Sequence, residues 1–82
     1  MATMQSDIRN WLKEAKAKGA THMIVACDTY DHEDYPVEVM PGQNVHEVFK
    51  QYNGPNMQRV MEVYNLSLDI EKQLLEHRAF NF

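Results

Sequence analysis

Residues 23 to 27, MIVAC, limit most sharply what this chain can fold into. In an extended chain His22, Ile24, Ala26 and Asp28 share one face, and Met23, Val25, Cys27 and Thr29 share the other. A strand that is apolar on both sides must be covered on both faces or must lie at a subunit contact. The five residues after Thr29, YDHED, read as a connecting loop. Residues 35 to 40 read as the return strand of a β-hairpin, with Val37 and Val39 facing inward. Pro36 has no N–H for a ladder, which assigns the return strand to a sheet edge near its start. Two strands alone are marginal. Either a neighbouring molecule supplies a third, or helices supply all the cover.

The flanking sequence is helical in period. Ser6 and Asp7 form a helix start, and Ile8, Trp11, Leu12 and Ala15 follow at i, i+3, i+4 and i+7. Gly19 ends this helix as a residue that accepts a left-handed cap. After the Pro41-Gly42 turn, Asn44 caps a short helix whose stripe is Val45, Val48, Phe49 and Tyr52, with Glu47 in capping-box position. Asn53-Gly54 stops it, and Pro55 suits the first turn of a further helix. Met57, Val60, Met61 and Tyr64, then Leu66, Ile70 and Leu74, continue at helical spacing. Asn65 and Ser67 are places where this helix could break or bend; unbroken over residues 55 to 78 it would be a rod of about 36 Å at ~1.5 Å per residue. The reading is therefore α+β: an N-terminal helix, a β-hairpin, a short helix and a long C-terminal helix. Residues 1 to 82 form a single domain.

Eighty-two residues bury a modest core. Six methionines, four tyrosines, three phenylalanines and a tryptophan are many large apolar groups for that length. With the long helix and the doubly apolar strand, they imply a homo-oligomer. A formal charge of −4 repels a phosphate backbone, so duplex nucleic acid is not the expected partner. Cys27, the only cysteine, allows no internal disulfide. No apolar run nears the ~18 residues of a membrane span, and MATMQSDIRN lacks the pattern of a signal peptide. These features imply a cytoplasmic protein with no membrane partner.

Three polar groupings carry chemistry. Asp28, Asp31, His32, Glu33 and Asp34 crowd the hairpin loop. Hard oxygens and an imidazole suit a divalent metal, but the spacing matches no calcium loop, and a charged hairpin tip is most often solvated. No metal or cofactor is expected. Cys27 lies within an apolar strand where burial keeps a thiol protonated, and His46 and His77 fall on polar helix faces, so no catalytic residue is assigned. The segment 52 to 59, YNGPNMQR, combines a glycine turn with an expected helix N-terminus, which favours an anion. Asn53, Asn56 and Gln58 add amides around Gly54, Arg59 can pair with a phosphate, and Tyr52 can stack on a base. The same residues also serve as ordinary turn and cap chemistry.

CDTYDHEDYPVEV (27 to 39), YNGPNMQRVMEVY (52 to 64) and the ending LLEHRAFNF together resemble a family of short proteins encoded by tailed bacteriophages. The resemblance implies an accessory protein acting in the bacterial cytoplasm, where small phage proteins often serve as anti-defence factors. One such class holds immune signalling nucleotides away from host effectors. The expectation is thus a non-enzymatic binder that sequesters a small nucleotide, with Tyr30, Asp31, Tyr52, Asn53, Gly54, Asn56, Gln58 and Arg59 as ligand residues. A protein inhibitor docking its acidic loop on a basic host enzyme is the alternative. A metal-dependent hydrolase using Asp28, Asp31, His32 and Asp34 comes last.

Overall fold

The computed structural model of the protein describes residues 5 to 54, 57 to 76 and 79 to 82. Helix α1 (Gln5–Ala17) is followed by strands β1 (His22–Asp28) and β2 (Glu33–Val39). Helix α2 (Val45–Tyr52), strand β3 (Gln58–Asn65) and the short helix α3 (Ile70–Leu74) complete the chain. The strands lie in the order β2-β1-β3, and both outer strands run antiparallel to β1. The α+β class and the hairpin are as expected. The long C-terminal helix is not: residues 58 to 65 form a strand, and the last helix has only five residues. Pro55, proposed as a helix start, lies outside the described residues.

The cause of that difference is a bulge. Val25 pairs with Glu62 but its neighbour Ala26 pairs with Val60, so Met61 is an extra residue in β3. A bulge breaks the strict alternation of a strand. Val60 and Val63, three residues apart, therefore both enter the cluster of Ile24, Val39 and Val48. Met61 and Tyr64 join the opposite cluster with Leu12, Met23 and Val25. Spacings of three and four are those of an amphipathic helix. Here a bulged strand produces them.

Each face of the sheet is covered from within the chain. Ile8, Leu12 and Ala15 of α1 and Leu74 of α3 pack on the face of Met23, Val25 and Tyr64. Val48 of α2, with Phe49 and Tyr52 at its margin, packs on the other. Met23, Ile24, Val25 and Ala26 are consequently all at most 1% exposed. The Met23, Ile24 and Val25 side chains contribute ~1.5–3 kcal/mol each on full burial. The apolar run thus needs neither a neighbour's strand nor a subunit contact.

Local signals set the element ends. Ala20 N–H bonds Ala15 O at 3.0 Å and Gly19 N–H bonds Lys16 O at 3.1 Å, a Schellman closure with Gly19 at φ +84°. Asn44 Oδ1 accepts from the His46 and Glu47 N–H groups at 2.9 and 3.3 Å. The sheet edges are closed in two ways. Pro36 stands within β2, while residues 79 to 81 run parallel to β3 through Val63 N–H to Ala79 O (2.8 Å) and Asn81 N–H to Val63 O (2.9 Å). Phe80 and Phe82 then meet the Phe49 ring edge-on.

Candidate functional site

The register of β1 brings two distant stretches to one end of the sheet. Asp28, its last residue, pairs with Glu33 on one side and Gln58 on the other. The β1–β2 turn and the α2–β3 connection therefore lie side by side. Thr29 joins them, because its N–H and its hydroxyl both donate to Met57 O at 2.8 Å. Within the turn Asp28 Oδ1 accepts the Tyr30 N–H at 2.8 Å, Asp28 O accepts the His32 N–H at 2.7 Å, and His32 takes φ 58°. Asp31 Oδ1 accepts the Glu33 N–H at 3.3 Å. Tyr30 gains no cover and is 78% exposed.

The α2–β3 connection is shaped by its own residues. Gly54 N–H bonds Gln58 O at 2.7 Å, and Asn53 Oδ1 accepts the Val60 N–H at 3.4 Å. Gly54 has φ +116°, yet a Cβ placed there would meet nothing within 4 Å. A side chain at Gly54 is therefore opposed by the backbone conformation and not by crowding. Gln58 opens strand β3, so the long helix expected to run on from this turn is replaced by a strand. Asn56 lies outside the described residues.

Strand parity sorts the remaining groups. Tyr35 pairs with Ala26 and shares its face, the one under α2. There its ring meets Tyr52 edge-on, with centroids 6.4 Å apart, and its hydroxyl accepts from Gln58 Nε2 at 2.6 Å. Burial raises the Tyr35 pKa above its ordinary value of 10.0, against the lowering effect of the Gln58 bond. The phenol stays protonated at neutral pH. Arg59 pairs with Cys27, whose partner across the other edge is Asp34, so these three lie on the α1 side. Tyr52 and Gln58 are thus together, while Arg59 faces the other way. Tyr35 was not among the expected ligand residues. The signal that finds it is its register with Ala26, which a hairpin alignment of the two strands provides.

Burial raises the Cys27 thiol pKa, and Asp34, Asp28 and Asp31 add to the rise. It is not an activated nucleophile. No group of three or more His, Cys, Asp or Glu side chains among the described residues is arranged to hold a metal ion. The ion pairs found among them, Arg9–Glu71 and Lys18–Glu38, lie away from this end. His46 is exposed on one side and stacks on Phe82 at 4.5 Å. His77 lies outside the described residues. Two clefts occur elsewhere: about 390 Å³ beside Lys16, Thr21 and Asn65, and about 300 Å³ beside Asp69 and Glu76. Neither is lined by an expected ligand residue.

Comparison of the chain with family models, with curated proteins and with solved structures gives no match. No described helix is long and apolar enough to cross a membrane.

Proposed function

We propose that the protein is a non-enzymatic binder, and that the loop end of its sheet holds a nucleotide immune signal of a bacterial host. The observation carrying this reading is the meeting of the 28–34 turn with the 52–59 connection, fixed by the two Thr29 bonds to Met57 O. Tyr52 and Tyr35 provide aromatic surface for a base, and the exposed Tyr30 provides a second stacking group. Gln58 and Arg59 are adjacent at the start of β3 and point to opposite faces. A ligand with its base on the Tyr52 side and its phosphate passing round the strand end would span both. Sequestration needs only retention, and the raised Cys27 pKa agrees with a site that performs no nucleophilic step. The phage resemblance supplies the setting, an anti-defence factor in the host cytoplasm.

The test is retention of ligand by the purified protein from a panel of cyclic and ADP-ribose-type nucleotides, followed by heating. Intact ligand in the supernatant is the expected result. A cleaved product would favour the hydrolase instead. Arg59→Ala should weaken retention by roughly 1.5–3 kcal/mol, the scale of a charge-assisted hydrogen bond.

One observation favours a second reading. Tyr30 is exposed in the same turn as the acidic residues Asp28, Asp31, Glu33 and Asp34, and no ion pair among the described residues neutralises them. An exposed aromatic in an acidic turn suits a basic protein surface, with charge steering the encounter. On this reading no nucleotide is retained, Glu33→Ala is harmful and Arg59→Ala is mild.

A homo-oligomer belongs to the proposal on a narrower ground than the sequence offered. Leu68 and Leu75 flank α3 and are 53% and 84% exposed. A second copy covering them would remove the largest aliphatic exposure among the described residues.

A further inference from the structure

The outer strands β2 and β3 meet above β1 through one side-chain hydrogen bond, Gln58 Nε2 to Tyr35 Oη at 2.6 Å. A phenol has one proton and lone pairs to share, and a primary amide has an acceptor oxygen and a two-proton nitrogen. With Nε2 donating one proton to Tyr35, the phenol proton, the amide oxygen and the second N–H are left over. If the amide is turned over, the phenol donates to Oε1, and a phenol lone pair and both N–H groups are left over. In both arrangements the pair offers a donor beside an acceptor, on opposite partners. None of these leftover groups makes another hydrogen bond among the described residues. Burial keeps the phenol protonated, so the donor persists at neutral pH. The Tyr52 ring, 6.4 Å away and edge-on to Tyr35, walls one side.

We infer that Tyr35 and Gln58 are a reading pair for a planar group that carries a donor next to an acceptor, such as the edge of a nucleobase or a carboxamide. The inference rests on the small-ligand reading above and deepens it. Because the amide can turn over, the pair accepts either polarity of edge. Adenosine presents an amino donor beside a ring acceptor, and inosine presents a carbonyl acceptor beside a ring N–H. Both fit. Purine riboside keeps the ring acceptor, adds no bulk at that edge and has no amino donor, so it does not.

The experiment is an NMR titration of the full chain, following the Gln58 side-chain amide and the loop-end backbone signals. The probes are adenosine, inosine, purine riboside and nicotinamide. Adenosine and inosine should bind with similar constants, and purine riboside about tenfold more weakly, the scale of one hydrogen bond. Tyr35→Phe should weaken adenosine by a similar factor and remove the difference between adenosine and purine riboside. Equal binding of adenosine and purine riboside to the wild-type protein overturns the reading pair and leaves nucleoside binding standing. A response to nicotinamide alone supports the pair while removing the nucleotide proposal. No response at the loop end to any probe overturns both.

Discussion

His22 opens β1 with its ring packed into the fold. Thr21 Oγ1 donates to Val39 O at 3.2 Å and lies 3.0 Å from His22 Nδ1. The ring's Nε2 is buried and has no hydrogen-bond partner among the described residues. Burial lowers the His22 pKa below the ordinary 6.5, and His46 adds to this against the opposing influence of the Phe82 backbone. The folded state thus binds a proton less readily than the unfolded chain. The stability that goes with neutral His22 is complete above pH 6.5 and is lost as pH falls from there through the lowered folded value. Thermal melts from pH 8 to pH 5 should show wild-type losing more of its midpoint than His22→Phe. Parallel profiles would remove the assignment.

Among the elements, α3 depends on one polar side chain. Gln73 is 2% exposed; its Oε1 accepts the Asn65 N–H at 2.8 Å, and its Nε2 donates to Asn65 O at 2.9 Å and Asp69 O at 3.1 Å. It closes the end of β3 as another strand would. Gln73→Leu leaves the Asn65 N–H without that partner and its C=O with the Leu68 N–H at 3.2 Å, and an unmet buried group costs ~1–3 kcal/mol. Urea unfolding should therefore show a loss of roughly 2 kcal/mol or more. Of the elements, α1, the hairpin and α2 were legible in the sequence because their periods are unbroken and their ends carry Gly19 and Asn44. β3 was not legible, because the bulge at Met61 gives a strand the spacing of a helix. The candidate site follows the same division. Tyr52, Asn53 and Gln58 could be picked from composition and turn chemistry. Their meeting with Asp28 and Tyr35 depends on pairing between β1 and β3, a contact that no local pattern records.

For the whole molecule, the two strongest grounds for self-association disappear. The expected 36 Å rod is replaced by a strand and a short helix, and the apolar strand is buried within one chain. The remaining molecule measures 31 × 28 × 21 Å, with Leu68 and Leu75 left uncovered near α3. Light scattering at micromolar concentration should give a multiple of 9.6 kDa that falls on Leu75→Lys. A mass near 9.6 kDa for the unmodified chain would remove the oligomer, while leaving the loop end intact as a site within one chain.

The central place of β1 also orders the events of folding. Its pairing with β2 closes over residues 29 to 32, whereas its pairing with β3 waits for α2 to cross the sheet. Short closures cost less chain entropy and occur sooner, with hairpins forming in about 1–10 μs. A nucleus of β1 and β2 would then template β3, and the two halves of one core cluster would have different kinetic weights. Val37→Ala should mainly slow folding, and Val63→Ala should mainly speed unfolding, as read from the two limbs of stopped-flow chevrons. A Val63→Ala chevron displaced on its folding limb would place β3 in the nucleus instead. In the expected order, the loop-end site is assembled only in the later step, when Gln58 arrives beside Asp28 and Tyr35.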